Sequence, residues 1–163
     1  MIALKPPMEC ATVEEALPNG FKERVKERGR VFEGWVGQPL ILSHPLVGCF
    51  VSHCGFGSMW ESLMSNYQIV LVPHLGDQIL NTRLLVEEMK VAVELEREDR
   101  GWFSRKSLSK AIKYVMDKDN EVGVMVKNHA KWKEILASLD FMSGYMDKFV
   151  QNLQDLVLVN KKA

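Results

Sequence analysis

Short apolar runs alternate with helically spaced segments along most of this chain. Three runs are rich in β-branched or aromatic residues and predict buried strands at Gly48–Ser52, Ile69–Val72 and Val91–Leu95. Two further strands are predicted at Met1–Leu4 and Arg30–Val36, separated by a loop and a short helix. Short buried strands that alternate with helices are typical of a parallel sheet covered by helices on both faces. The pattern therefore predicts an α/β fold.

Helices are predicted between and after the strands. Their spans are Phe21–Arg28, Pro39–His44, Met59–Met64, Asp77–Met89, Lys106–Met116, Asn120–Leu139 and Ser143–Val159. In the fourth of these, the expected core stripe is Leu80, Leu84, Leu85 and Met89. In the last, the expected inward positions are Met146, Phe149, Val150 and Leu153. The last three helices would form a layer appended to the sheet.

Two serines stand where helices are expected to begin. Ser58 is followed three residues later by Glu61, which is the spacing of a capping box. Ser104 precedes the predicted helix Lys106–Met116 and is a natural N-cap. These residues predict the start of two helices, one of them directly after a strand and a glycine-bearing turn.

Composition narrows the class of protein. The chain has 163 residues, 47% of them hydrophobic, which suggests one packed domain. Lys and Arg number 21, as do Asp and Glu, so the formal net charge is zero and argues against a nucleic-acid binder that works by bulk charge. No apolar run approaches the roughly 20 residues of a membrane span, and the first residues do not resemble a signal peptide. Three cysteines, an odd number, favour a reduced cytoplasmic protein.

Polar clusters follow three of the predicted strands. Trp35–Gln38 follows Arg30–Phe32, His53–Ser58 follows Gly48–Ser52, and His74–Gln78 follows Ile69–Val72. Ligands of open parallel sheets bind beyond the carboxyl ends of the strands. All three clusters are expected to end strands of one sheet, so they should converge on one edge.

The second cluster has the chemistry of an anion site. A strand, a glycine turn and a helix N-terminus present unpaired backbone N–H groups, and Gly55 and Gly57 permit a phosphate to approach closely. Ser58 and His53 could add donors, and the Glu61 carboxylate suits a sugar diol. The alternative is that the glycines make only a turn and that Glu61 only completes the capping box.

The other clusters extend this hypothesis. Trp35 offers a flat face for a base, and Asp77 and Gln78 offer groups for further hydroxyls, so the set suits a nucleotide sugar. Trp35 could instead belong to the core, and Asp77 could cap its own helix. The spacing of His44, His53 and Cys54 is not that of a metal site. The glycine pattern also lacks the third glycine of a nicotinamide-nucleotide fingerprint.

The 44-residue stretch from Trp35 to Gln78 resembles the signature of plant secondary-product glycosyltransferases. The matching landmarks are Trp35, Gln38, Pro39, His44, Gly48, His53, Cys54, Gly55, Ser58, Glu61, Pro73, Asp77 and Gln78. The variant Phe56–Glu61 and the segment 101–104 resemble the branch-forming group, which adds a sugar to the sugar of a flavonoid or anthocyanin glycoside. The commoner Trp-Asn of the signature is here Phe56-Gly57, so the amide that usually meets a phosphate is missing.

The resemblance implies a fold of two facing Rossmann-like domains, called GT-B, in which the C-terminal domain holds the UDP-sugar. This chain would be most of that donor-binding half, with residues 1–140 as a partial Rossmann-like domain and 141–163 as a C-terminal helix. Its first strand and helix would be missing. In the doubly wound order that strand lies between the second and fourth, so its loss would leave a gap in the sheet.

The resemblance assigns donor binding to Trp35, Val36, Gln38, His53, Gly55, Gly57, Ser58, Glu61, Asp77 and Gln78. Trp35 would stack on uracil, and Gln38 and Glu61 would bind the ribose hydroxyls. His53 and Ser58, with the backbone around the two glycines, would bind the diphosphate.

The remaining pair, Asp77 and Gln78, would hold hydroxyls of the transferred sugar. No metal and no cofactor beyond the UDP-sugar donor is implied, and the full-length enzyme would be a cytoplasmic monomer.

The implied reaction is an inverting transfer of a sugar from UDP-sugar to a flavonoid or anthocyanin glycoside. In this family the general base is a His of the first domain, oriented by an Asp of the same domain. His44, His53, His74 and His129 are therefore not assigned as the base, and the chain alone is expected to be inactive. The alternatives are a truncated, inactive binding module that pairs through its exposed sheet edge, and an unrelated nucleotide-binding domain.

Overall fold

The computed structural model describes residues 1–98, 102–117 and 122–160, without the side chains of 139, 142 and 156–160. The strands are β1 (Ile2–Leu4), β2 (Val31–Glu33), β3 (Cys49–Ser52), β4 (Gln68–Leu71) and β5 (Ala92–Glu94). The helices are α1 (Val13–Ala16), α2 (Phe21–Val25), α3 (Gln38–Leu42), α4 (Phe56–Leu63), α5 (Asp77–Arg83), α6 (Arg105–Met116), α7 (Val122–Ala137) and α8 (Leu139–Asn160), with a π-helical turn at Leu84–Glu88 after α5. The α/β class predicted from the sequence is confirmed.

The chain divides into two compact units, Met1–Ile41 and Leu42–Ala163, called here the first and second unit. In the first unit, β1 and β2 pair in parallel, and α1 and α2 lie between them along the chain. The sequence had predicted a loop at 8–19, but α1 lies within it, capped by the Thr12 side chain, which accepts from the Glu15 N–H. The boundaries 1–140 and 141–163 stay a prediction.

The second unit contains a three-stranded parallel sheet in the order β3-β4-β5. One face packs against α4, the π-helical turn and α7 through a core that includes Met59, Leu63 and Leu85. The other face packs against α6, with Val70 and Val115 at the contact. Helices therefore cover both faces, as the buried apolar strands predict.

The expectation that the strands form one sheet was wrong, because β1 and β2 pair with each other while β3 pairs with β4. The first polar cluster, Trp35–Gln38, therefore follows a strand of a different sheet from the other two clusters.

Some expected core positions were wrong. Leu80 and Leu84 are 72% and 42% exposed, whereas Leu85 and Met89 of the same stripe are buried. The predicted inward side chains of α8, Met146, Phe149, Val150 and Leu153, are 46–56% exposed. No described element covers this face of α8, and an amphipathic helix buries its apolar stripe only where another element packs on it.

Candidate functional site

The carboxyl ends of β3 and β4 lie side by side in the second unit. The strands are in parallel register with Ser52 opposite Leu71, and the Val72 N–H donates to the Ser52 carbonyl at 2.8 Å. The turn that follows β3 and the loop that follows β4 therefore start at the same edge of the sheet. The structure thus brings two of the three predicted polar clusters, His53–Ser58 and His74–Gln78, to one place.

The turn after β3 is tight and unusual in its backbone. Cys54 has a φ of 64°, a left-handed conformation that costs a non-glycine residue roughly 1–2 kcal/mol. Its N–H donates to Ser52 Oγ at 3.1 Å, and the residue is fully buried. Burial raises the pKa of the Cys54 thiol, the nearby Thr82 hydroxyl opposes this, and the charge of Asp77 adds to the rise. The thiol is therefore protonated near neutral pH, which agrees with a structural role.

Helix α4 begins earlier than the expected capping box places it. Its N-cap is Gly55, with φ −63° and ψ 152° and no side-chain cap, and its first bond joins the Met59 N–H to the Gly55 carbonyl at 2.9 Å. Ser58 therefore lies inside the first turn, and the expected capping-box start was wrong, because extended backbone at Gly55 lets the helix start at Phe56. The amides of residues 56–58 precede the first intrahelical bond and face outward from the helix end.

The two glycines of this turn have different surroundings. A Cβ at Gly55 would lie 2.8 Å from His53 Nε2, so the His53 ring occupies the space that a side chain would need. A Cβ at Gly57 would meet nothing within 4 Å, so this position is open to solvent. Glycine would be necessary at position 57 only if a ligand came close to the backbone there.

The loop after β4 is closed by a side chain that the sequence marked only for ligand binding. Gln78 Oε1 accepts from the N–H of His74 at 2.9 Å and from the N–H of Leu75 at 3.3 Å. Asp77 is exposed in the first turn of α5, and the N-cap is Gly76, so Asp77 does not cap its own helix. The amide nitrogen of Gln78 is the group of this side chain that can donate to a ligand.

Three residues that sequence reasoning missed brace the site. The Arg97 guanidinium donates to the Pro73 carbonyl and lies 4.9 Å from the centre of the Phe103 ring. Phe103 also meets the His74 ring edge-on, with centroids 5.9 Å apart. The third is Asn81, whose Nδ2 donates to the Cys54 carbonyl at 3.0 Å and lies 3.4 Å from Asp77 Oδ2.

A cavity of about 370 Å³ opens between the carboxyl ends of the strands and the start of α6. His53, His74, Ser104 and Arg105 contribute its polar lining. Ser104 caps α6 through a capping box with Ser107, which confirms the predicted start of that helix. Together these groups supply hydrogen-bond donors and, at Arg105, a positive charge at the carboxyl ends of β3 and β4.

Two of the predicted base- and ribose-binding residues, Trp35 and Gln38, lie in the first unit. Trp35 follows Gly34, whose φ is 85°, and its side chain is 91% exposed. Gln38 opens α3, and its N–H donates to the Val36 carbonyl at 2.8 Å. An exposed indole next to a glycine is not a core residue, so the alternative of a buried Trp35 was wrong. Glu61, which was assigned to the ribose as well, lies in α4 of the second unit and is half-buried.

Comparison with known proteins decides the family. Residues 19–131 match the family described as "UDP-glucoronosyl and UDP-glucosyl transferase". This chain belongs to that family. The resemblance seen in the signature from Trp35 to Gln78 is thereby confirmed.

Relatives and solved structures agree with this assignment. The chain is 65% identical over 158 residues to Arabidopsis thaliana UDP-glycosyltransferase 79B3, and 65% identical to the Arabidopsis anthocyanidin 3-O-glucoside 2'''-O-xylosyltransferase. Each match covers 96% of this chain, and 35% and 34% of the two relatives. The structure of Phytolacca americana UGT2 complexed with UDP-2fluoro-glucose and pterostilbene matches with a TM-score of 0.77 and 25% identity, over 92% of this chain and 33% of that one.

These matches show what share of its relatives' length the chain covers. This UDP-glycosyltransferase chain spans about a third of the length of the curated relatives that it matches. Its structural neighbours are GT-B enzymes, and the parallel α/β arrangement agrees with a Rossmann-like half of that fold. No described helix is long and apolar enough to cross a membrane.

Proposed function

We propose that this chain binds the donor of a plant glycosyltransferase, a UDP-sugar, at the edge formed by the turn after β3 and the loop after β4. The observation that carries the proposal is the start of α4. Three outward-facing amides, an open Gly57 and an exposed His53 meet there. Such a helix end favours a diphosphate, because the unpaired N–H groups and the helix dipole both attract negative charge.

The remaining donor contacts follow the signature. Trp35 stacks on the uracil, and Gln38 and Glu61 bind the ribose hydroxyls, with the Val36 backbone beside them. The 91% exposure of Trp35 supports this role, because a stacking platform must be accessible to the base. Ser58 and His53 donate to the diphosphate.

The sugar end of the donor is assigned to Asp77 and Gln78. Asp77 is exposed at the start of α5, and the amide nitrogen of Gln78 can donate while its oxygen closes the loop. A carboxylate and an amide donor are a suitable pair for neighbouring hydroxyls. No metal or further cofactor is part of this proposal.

The proposed reaction of the whole enzyme is the inverting transfer of a sugar from UDP-sugar to a flavonoid or anthocyanin glycoside. The name of one relative, an anthocyanidin 3-O-glucoside xylosyltransferase, supports an acceptor of that class. The three free thiols, Cys10, Cys49 and Cys54, support a reducing, cytoplasmic location. The whole enzyme is proposed to act as a monomer.

The 163 residues alone are proposed to hold the donor without transferring sugar, since the family's base lies in its other domain. A chimera tests this claim. If this chain replaces the homologous third of UDP-glycosyltransferase 79B3, we expect the chimera to transfer sugar while the isolated chain does not. Transfer by the isolated chain at a rate near that of the chimera would contradict it.

A second candidate is a non-catalytic module that pairs with another chain. The position of β3 at the end of its sheet favours it, because an end strand offers backbone groups for pairing. Sedimentation of this chain mixed with a full-length relative distinguishes the two, since the module requires association with a second chain.

Calorimetric titration with UDP tests the donor site. We expect Glu61→Ala to weaken binding about tenfold or more, because hydrogen bonds to a charged group contribute roughly 1.5–3 kcal/mol. Glu88→Ala is the matched control, since Glu88 is exposed on the π-helical turn. Equal UDP affinity in the wild-type chain and Glu61→Ala would contradict the proposed site.

A further inference from the structure

Two described non-glycine residues adopt a left-handed backbone conformation, and both are held in the same way. Cys54 has a φ of 64° and Lys90 a φ of 55°. The Cys54 carbonyl accepts from Asn81 Nδ2 at 3.0 Å, and the Lys90 carbonyl accepts from Asn128 Nδ2 at 3.2 Å. In each case an asparagine side chain from a helix donates to the carbonyl of a residue whose backbone conformation is unfavourable.

The bond at Cys54 has a consequence for the neighbouring peptide. A trans peptide is planar, and its C=O and N–H point in opposite directions. The described peptides include no cis bond, so the Asn81 bond to the Cys54 carbonyl also fixes the direction of the Gly55 N–H. The Gly55 N–H therefore points away from Asn81, and Gly55 is the N-cap from which α4 starts.

Asn81 also reaches the other polar cluster. Its Nδ2 lies 3.4 Å from Asp77 Oδ2, one helical turn earlier on α5. The amide is half-buried, so it exchanges these partners for water less readily than an exposed side chain. The Asn81 side chain thus joins Cys54, which lies 27 residues earlier in the chain, to the Asp77 carboxylate at the start of α5.

We propose that Asn81 is a positioning residue, which holds the Cys54–Gly55 peptide so that the Gly55 N–H and the first amides of α4 face the diphosphate of the donor. Asn81 does not touch the donor itself. This inference rests on the proposed donor site, and it adds a residue outside the signature from Trp35 to Gln78.

The test compares two ligands on the full 163-residue chain. Uridine lacks the diphosphate, so the ratio of the uridine to the UDP dissociation constant measures what the diphosphate contacts contribute. We expect Asn81→Ala to reduce this ratio about fivefold or more and to leave uridine affinity nearly unchanged. Asn128→Ala is the matched control, because it removes the same kind of bond at Lys90 and should leave the ratio unchanged.

Thermal unfolding by circular dichroism accompanies each titration. Asn81→Ser, whose hydroxyl is too short to reach the Cys54 carbonyl in the same way, replaces Asn81→Ala if that variant does not fold. An unchanged ratio in a folded Asn81 variant would overturn the inference while leaving the donor site intact. Failure of the wild-type chain to bind UDP more tightly than uridine would instead overturn the proposed donor site.

Discussion

The side-chain oxygen of Gln78 accepts a hydrogen bond from the backbone N–H of His74 at 2.9 Å. The same oxygen accepts from the N–H of Leu75 at 3.3 Å, so a single amide satisfies two backbone donors of the loop after β4. Gln78 therefore has a structural task beside its proposed contact with the sugar. Its oxygen shapes the loop, and its nitrogen can donate to a ligand.

Substitution of Gln78 separates the two tasks. Gln78→Glu keeps an accepting oxygen, so we expect the loop and the stability to be preserved. Gln78→Leu leaves two loop N–H groups without this acceptor and should lower the free energy of unfolding by about 1–2 kcal/mol. Urea denaturation of the two variants measures the difference. Equal losses of stability in both would contradict the loop-closing role.

Gly57 should show opposite effects on stability and on binding. It lies in α4 with a negative φ and open space around its Cα, so Gly57→Ala should raise the free energy of unfolding by about 0.5 kcal/mol. If a diphosphate approaches this backbone, the added methyl should weaken UDP binding. Thermal unfolding and UDP titration of the same sample check both effects. Unchanged UDP affinity would show that the donor does not approach Gly57.

His129 should make the stability depend on pH. Its Nε2 lies 2.9 Å from the Ser62 carbonyl and 3.2 Å from the Leu63 carbonyl, at the C-terminal end of α4. Burial lowers the pKa of His129, the two carbonyls oppose this, and the charge of Lys133 adds to the lowering. The unfolded chain therefore binds a proton more readily than the folded chain.

The sign follows from proton linkage. The His129 contribution is present above the unfolded pKa of about 6.5 and is lost as the pH falls through the lower folded pKa. We expect the free energy of unfolding of the wild-type chain to fall below about pH 6.5, and this part of the slope to disappear in His129→Gln. His44→Gln, at an exposed position, is the control. An identical slope in His129→Gln and the wild-type chain would contradict the assignment.

Substitution of Leu85 tests which side of α5 and its π-helical turn faces the core. Leu85 is fully buried, whereas Leu80 of the predicted stripe is 72% exposed. Leu85→Ala should cost roughly 3 kcal/mol, and Leu80→Ala should change stability by less than about 0.5 kcal/mol. Chemical denaturation gives both numbers. Similar costs at the two positions would mean that the sequence-based stripe describes the helix better than the structure does.

The strands of the second unit and most helices could be predicted because burial imposes a regular pattern. Ile69 and Val70, which are almost fully buried, lie in an apolar run that is typical of a buried parallel strand. Ser104 was recognised as a cap because a serine hydroxyl just before a helix accepts a hydrogen bond from a backbone N–H of the first turn. Such signals are contained within a few residues of sequence.

The site required contacts that sequence periodicity does not encode. The inward side of α5 carries the polar residues Gln78, Asn81 and Thr82. An apolar stripe in the sequence therefore could not indicate which side of α5 faces inward. Two of these side chains bond to backbone groups of the loops at the sheet edge. Arg97 reaches Pro73 across 24 residues. The signature indicated which loops form the site, but not the side chains that hold them.

The most direct test of the donor site locates UDP on the chain. In an amide NMR titration with UDP, we expect the largest shifts at residues 55–58, together with the Trp35 indole. The competing anion-binding surface is the basic face of α6, with Arg105, Lys106, Lys110 and Lys113 around a second, larger concavity. Shifts at the start of α4 and at Trp35 would support the account. Shifts confined to α6 residues 106–113 would contradict it.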